Sequence, residues 1–295
     1  MQNLYTISTR DGVRGAGLTA GEKFSVFYHD LFDFPLSFSE VIRWLPHRPS
    51  RDQGGEVAQV VHKKSFYYLK GREGLIYKRI LRKRISVKKL EIAKSASKIL
   101  FFLPGIKMVG VTGSLTMGNS TDDSDIDLMI VTKVGSLWTT RLFAYMVIHA
   151  FGFIVRKPND WHQRDRLCLN MWFDESDLIW QKKDRNIYTA HEIGQILPLV
   201  NKDKTYEKFL QCNRWILGFW PNCVRVGSTK YAVRSTNILN TLYDVLSGWF
   251  EPVAFKLQYW YMKPKMTREV ATATRALFHP QDWGRVVLDR IKSFS

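Results

Sequence analysis

The sequence predicts an α+β fold, because short apolar runs in the middle of the chain alternate with segments of helical apolar spacing. Three runs have the length and composition of buried strands, namely residues 107–112, 125–132 and 167–173. Helical spacing precedes and separates them, over residues 86–103 and 137–155. Elements that alternate in this way favour a sheet with helices packed against it.

The length of 295 residues allows one large domain or two to three small ones. After the last predicted strand the apolar spacing is helical, over residues 190–197, 206–219 and 236–262. We therefore expect three regions: a first domain at residues 1–83, a central α/β domain at 84–181, and a C-terminal helical domain at 182–295.

Cysteine usage and the N-terminus both favour a cytoplasmic protein. Cys168, Cys212 and Cys223 are far apart and fit neither a disulfide framework nor a zinc-binding spacing. The first residues lack the apolar core of a secretion signal. Residues 137–155 are long enough to span a bilayer, but Arg141 and His149 lie inside them. This segment is therefore predicted to be a buried helix beside the sheet, and the protein is not expected to bind a membrane.

The formal net charge of +17 is concentrated in one segment. Residues 62–94 contain twelve lysines and arginines against two glutamates, a net charge of +10. Such a cluster is typical of a surface that binds a polyanion, although a solvated helix face carries the same pattern. RNA or DNA is thus a candidate partner through this segment.

The first region carries signals for three helices and a hairpin. Residues 21–32 have helical spacing, and Ser37 with Glu40 forms a capping-box pattern that opens a second helix. A short helix is predicted at 57–62, and a hairpin over 65–77 with its turn at 70–74. This layout resembles a winged-helix domain, a class in which many members bind DNA and many others mediate protein contacts.

The segment with the clearest chemical pattern is residues 109–132. A strand leads into the bend Gly113-Ser114, and Asp125-Ile126-Asp127 opens the next strand ten residues later. Alternate residues of a strand share a face, so Asp125 and Asp127 point the same way and offer hard oxygen ligands suited to Mg²⁺. Gly113 allows close backbone approach, and Ser114 offers its hydroxyl and N–H to a phosphate.

These residues resemble the signature of the DNA polymerase beta-type nucleotidyltransferase superfamily. The signature is Gly followed by Gly or Ser, a spacer of about nine to thirteen residues, and then Asp, an apolar residue, Asp or Glu, and an apolar residue. Thr112 stands where the signature prefers an apolar residue. The resemblance, which covers about 90 residues, implies a nucleotidyltransferase-fold mixed sheet with helices on one side. It also implies Mg²⁺ (or Mn²⁺) and a nucleoside triphosphate (NTP) such as ATP as substrate.

One departure from that family concerns a third carboxylate, which active members commonly carry on the next strand. Alternation along residues 167–173 aims Asn170 at the metal site, and an amide oxygen ligates Mg²⁺ weakly and cannot act as a base. Asp174 and Glu175, just beyond the predicted strand, could substitute if the strand end curls inward. Lys133 follows the metal strand and could meet a phosphate, or be a solvated strand end.

Two functions remain open from the sequence. The first is an Mg²⁺-dependent nucleotidyltransferase that transfers an NMP group to an unidentified acceptor, with nucleic acid slightly favoured. In this reading Asp125 and Asp127 bind metal, and Asn170 or Asp174 completes the site. The second is a catalytically inactive protein of the same fold that acts as a nucleic-acid-binding or regulatory module.

Overall fold

The computed structural model describes residues 17–47, 59–157, 162–224, 238–267, 269–278 and 283–293. Its helices are α1 (Ala20–Asp30), α2 (Phe38–Arg43), α3 (Leu75–Phe101), α4 (Leu137–Ala150), α5 (Ile187–Gln195), α6 (Thr205–Cys212), α7 (Ile238–Met262) and α8 (Trp283–Lys292). Its strands are β1 (Val60–Lys63), β2 (Phe66–Leu69), β3 (Ile106–Val111), β4 (Ile126–Thr132), β5 (Leu167–Asp174), β6 (Leu197–Asn201), β7 (Val270–Ala271) and β8 (Arg275–Leu277).

The core of the fold is a six-stranded mixed sheet with the order β6-β3-β4-β5-β8-β7. Strands β4 and β5 are parallel, and every other neighbouring pair in this sheet is antiparallel. The structure is therefore α+β, as the sequence predicts. Helix α4 joins the two parallel strands, because parallel neighbours need a long connection across the sheet.

Helices cover both faces of the sheet. On one face, side chains of α3, α4 and α7 pack with Ile126, Leu128 and Ile130 of β4. On the other face, side chains of α1, α5, α6 and α8 pack with Met129 and Val131 of the same strand. The one-sided layer of helices implied by the family resemblance is therefore not what this chain forms.

Several local signals give the structure they predict. Ser37 and Glu40 form the predicted capping box at the start of α2, in which each side chain bonds the backbone of the other residue. Residues 137–150 form α4, which packs between the sheet and α7. The three cysteines are free thiols. Among the described helices, none combines the length and apolar character that crossing a bilayer requires.

The predicted winged-helix layout is wrong in two places. Residues 60–62 of the helix predicted at 57–62 belong to strand β1, and residues 57 and 58 lie outside the described residues. The hairpin turn is at Lys64-Ser65, where both residues have positive φ, and not at residues 70–74. Two-residue turns with positive φ usually have the sequence Asn-Gly or Asp-Gly, so Lys64-Ser65 did not predict a turn.

The boundary predicted between residues 83 and 84 falls inside the continuous helix α3. Ser86, predicted as the cap of a helix at 86–103, instead lies within α3, and its hydroxyl accepts a hydrogen bond from the N–H of Ser120. The first region also shares a core with the sheet, since Tyr28 and Trp44 belong to the same apolar cluster as Met129.

The C-terminal region was predicted to be helical. In the structure it also supplies three strands of the central sheet, β6, β7 and β8. Strand β6 pairs with β3, and β8 pairs with β5. These strands are only two to five residues long, too short for period-two alternation to stand out from the surrounding helical spacing. Helix α7 was predicted at residues 236–262, of which 236 and 237 lie outside the described residues.

Candidate metal centre

The Gly113 bend lies directly against Asp127. After β3 the chain forms a single 3₁₀ turn over Gly113–Leu115, in which Gly113 has a φ of +64°. A Cβ atom at Gly113 would lie 2.7 Å from Oδ2 of Asp127. The N–H of Thr112 also donates to the Asp127 carbonyl, at 3.0 Å. The exposed Ser114 follows Gly113, so a backbone turn and a carboxylate share one small space.

Asp125 and Asp127 share a face of the sheet, as alternation predicts. Ile126, between them, packs into the apolar cluster on the opposite face. One carboxylate oxygen from each aspartate and the sulfur of Cys168 lie within 4.8 Å of one another. These three side chains form the candidate metal centre, and they are close enough to bind one ion.

Strand β5 supplies two of the side chains around the pair. Its Cys168 stands opposite Asp127 in the parallel register. A β-bulge follows. Between the pairs Asp127–Cys168 and Met129–Met171, β5 has two residues where β4 has one. Within this irregular stretch Asn170 donates from Nδ2 to Oδ1 of Asp127, at 2.8 Å. The side-chain oxygen of Asn170 is buried and accepts no hydrogen bond from the described residues.

The electrostatics of the centre favour a bound cation or a bound proton. Burial, together with the neighbouring Asp125 carboxylate, raises the pKa of Asp127 to about 7, and Glu192 acts in the same direction. Asp125 is offset by Arg156, whose Nη1 lies 2.7 Å from its Oδ2. Burial and the two carboxylates also raise the pKa of the Cys168 thiol well above its usual value.

These features fit a divalent ion. Two neighbouring carboxylates that are partly buried, one of them with a raised pKa, would be stabilised by a bound cation. The unpartnered oxygen of Asn170 is a further neutral ligand beside the pair. Carboxylate and amide oxygens are ligands that Mg²⁺ and Mn²⁺ accept.

Asp174 and Lys133, both predicted as site residues, lie elsewhere. Asp174 pairs with Thr132 at the other end of the two strands, about 15 to 20 Å from Asp127 at the usual rise per residue. Its carboxylate accepts hydrogen bonds from the N–H of Gly135 and from Ser176. Lys133 forms an ion pair with Asp244. The parallel register of β4 and β5 keeps these residues from the centre.

Sequence reasoning missed three residues that belong to the centre or act on its charges, namely Cys168, Arg156 and Glu192. The alternation that pointed to Asn170 applies equally to Cys168, two residues earlier, so that residue could have been found. Arg156 comes from the connection between α4 and β5, and Glu192 from α5. Only the tertiary structure brings these two to Asp125 and Asp127.

The neighbouring residues His191 and Glu192 of α5 have different surroundings. His191 is buried among aromatic side chains, with its Nε2 3.2 Å from Nε2 of His29. Burial lowers the pKa of His191 to about 3, so both rings are neutral near pH 7. His191 is therefore a core residue, whereas Glu192 is close enough to raise the pKa of Asp127.

Lys89 anchors the loop that leads into Asp125. Its side chain is 1% exposed, and its Nζ donates to the carbonyls of Asp122 and Ser124 at 3.0 and 2.8 Å and to Asp165 at 2.7 Å. An ammonium group buried among three acceptors orders the backbone immediately before Asp125.

We expect Lys89→Met to lower the free energy of unfolding by about 1–3 kcal/mol, because two backbone carbonyls lose their donor. The affinity for Mg²⁺ should fall as well, since the loop before Asp125 loosens. Urea denaturation and calorimetric titration would measure the two effects. Lys88→Met, at an exposed neighbouring position, is the matched control and should change neither. Equal effects in the two variants would contradict this role for Lys89.

A second prediction concerns the contact between Gly113 and Asp127. We expect Gly113→Ala to weaken divalent-ion binding by about tenfold or more, because the added methyl group would displace Asp127. Gly118→Ala is the control, since Gly118 has a similar φ of +68° but open space around its Cβ position. Both variants carry the same backbone strain, so only a difference in metal affinity between them tests the contact.

The basic segment at residues 62–94 is partly neutralised by the fold. Six of its cations form ion pairs with acidic side chains: Arg72, Lys78, Arg79, Arg82, Lys89 and Lys94. Within the described part of the chain, the other six are exposed and form no ion pair: Lys63, Lys64, Lys70, Lys83, Arg84 and Lys88. The surface available to a polyanion is therefore smaller than the net charge suggests.

Comparison with known proteins places this chain in no family. No protein-family model, no curated protein and no solved structure matches it.

Proposed function

We propose that this protein is a metal-dependent nucleotidyltransferase of the DNA polymerase beta type. The observation that carries the proposal is the Gly113 turn held against Asp127, with Asp125 on the same strand face. The mixed sheet supports it, since the resemblance implies such a sheet around this pair. A tight turn beside two carboxylates is suited to a triphosphate and its metal ion.

The reaction would join an acceptor to the NMP portion of an NTP. A bond forms between an acceptor oxygen and the α-phosphorus, and the bond from that phosphorus to the bridging oxygen breaks. Pyrophosphate leaves with that oxygen, and the acceptor proton passes to water. A bound divalent ion would neutralise charge that develops on the phosphate. Asp125 and Asp127 would hold the ion, and Gly113 and Ser114 would hold the phosphates.

The acceptor that the surface favours is a nucleic acid. Lys83, Arg84 and Lys88 are exposed on α3, and Lys63 and Lys64 are exposed on the β1–β2 hairpin. Exposed cations without acidic partners bind phosphodiester backbones, with an affinity that falls as salt rises.

Label transfer tests the proposal directly. The protein would be incubated with each α-labelled NTP, Mg²⁺ or Mn²⁺ and pooled tRNA, and the acceptor, the protein itself and free small molecules would be examined for label. Transfer by the wild type that disappears in the double variant Asp125→Ala Asp127→Ala supports the proposal. Absence of transfer to all three classes of acceptor contradicts it.

The second candidate is a regulatory protein that keeps this fold without turnover. It is favoured by the side chains that face the pair from β5, because a thiol and an amide stand where a third carboxylate would be expected. Salt-sensitive binding of DNA or RNA together with no label transfer would support this candidate. Substituting Lys83, Arg84 and Lys88 with Gln should then weaken that binding.

A further inference from the structure

We propose that Cys168 is a metal ligand, so that the centre binds Zn²⁺ in preference to Mg²⁺. This inference rests on the metal centre of the proposed function, but it does not require nucleotidyl transfer. It concerns which ion the donors Asp125, Asp127, Cys168 and Asn170 select.

The position of Cys168 supports direct ligation. It is the residue that pairs with Asp127 across β4 and β5, so its side chain leaves the sheet on the same face. Its sulfur lies within 4.8 Å of an oxygen from each aspartate. An ion bound by both carboxylates would therefore be in reach of the thiol with small side-chain rotations.

An independent observation comes from Asn170. Its side chain is only 7% exposed, and its Nδ2 is committed to Asp127. The oxygen of the same amide is buried with no hydrogen-bond partner among the described residues. Because buried acceptors are rarely left unpaired, this oxygen points to a ligand that is bound in the functional protein.

The chemistry of the donors decides between the metals. Mg²⁺ prefers oxygen ligands in octahedral geometry and gains little from sulfur, whereas Zn²⁺ combines thiolate and oxygen ligands in four-coordinate sites. Two carboxylates, one thiol and one amide oxygen supply four donors. On binding, the sulfur–metal bond forms, the S–H bond breaks, and the proton passes to solvent.

Cobalt titration provides a direct readout of sulfur ligation. Co²⁺ would be added to the wild type, to Cys168→Ser and to the control Cys212→Ser, which alters an exposed free thiol. We expect a near-ultraviolet sulfur-to-cobalt charge-transfer band in the wild type and in Cys212→Ser, and its loss in Cys168→Ser. Competition should show Zn²⁺ binding weakened by about 100-fold in Cys168→Ser, with Mg²⁺ binding changed by less than about twofold.

A second measurement needs no variant. Zn²⁺ should protect Cys168 of the wild type from alkylation, as followed by peptide mass spectrometry, and Mg²⁺ should not. A cobalt spectrum without the sulfur band, or equal Zn²⁺ affinity in the wild type and Cys168→Ser, would overturn the inference. The two measurements distinguish failure of this inference from failure of the proposed function. Mg²⁺-supported label transfer without the sulfur band refutes only this inference, and the band without transfer refutes only the nucleotidyltransferase.

Discussion

Asp127→Asn is expected to abolish nucleotidyl transfer while making the metal-free protein more stable at pH 8. Loss of one of the two carboxylates that we propose bind the metal should lower the rate of transfer by about a thousandfold or more. The neutral amide keeps the shape of the side chain, and its oxygen can still accept the hydrogen bond from Asn170. The variant should therefore fold normally.

The gain in stability follows from the raised pKa of Asp127. The folded protein binds the proton with a pKa of about 7, against 3.8 for an unperturbed aspartate. A carboxyl group whose pKa is raised on folding destabilises the protein when ionised. The free energy of unfolding should thus fall as pH rises from about 4 to 7. At pH 8 the cost is fully present, and since three pKa units correspond to about 4 kcal/mol, Asp127→Asn should raise the free energy of unfolding by about that amount.

Urea denaturation in the presence of EDTA, at pH 8 and at pH 4.5, would measure the stability effect. The difference between Asp127→Asn and the wild type should be large at pH 8 and small at pH 4.5. Asp123→Asn, an exposed acid in the preceding loop, serves as the control and should leave both transfer and stability unchanged. Wild-type transfer rates in Asp127→Asn would exclude the proposed role of this carboxylate.

The affinity for Mg²⁺ is expected to depend steeply on pH below neutrality. The ion must displace the proton that Asp127 holds with a pKa of about 7. The apparent dissociation constant should therefore rise about tenfold for each pH unit below 7, and level off above about pH 7.5. Calorimetric titration with Mg²⁺ between pH 5.5 and 8 would measure this dependence.

A separate control must show that the protein remains folded at the acid end. His29 and His191 are buried, and burial lowers the pKa of both rings, so protonating them destabilises the fold as pH falls below about 6.5. Circular dichroism at each pH would detect unfolding. A Mg²⁺ affinity that stays constant from pH 5.5 to 7.5 in folded protein would show that Asp127 is not a ligand.

Local pattern was a good guide where neighbouring residues decide the outcome. The alternation of a strand depends only on its own backbone, so it placed Asp125 and Asp127 on one face with Ile126 opposite. The capping box of Ser37 and Glu40 involves four consecutive residues and formed as predicted.

Pattern failed where distant segments compete for the same backbone or surface. Helix α3 begins at Leu75 and runs through Ser86, whose hydroxyl accepts a hydrogen bond from Ser120 and caps no helix. The short segments β6 and β8 form strands because they pair with β3 and β5. Such pairing joins residues that are distant in the chain, so a short stretch of sequence cannot predict it.

Local pattern was enough to predict the α+β class, the strand that carries the two aspartates, and the glycine bend that precedes it. These follow from local backbone geometry and from the burial of apolar residues. The side chains that surround the pair could not be predicted in this way. The parallel register of β5 brings Cys168 and Asn170 beside Asp127 and leaves Asp174 at the far end, because register depends on how two strands dock across the whole sheet.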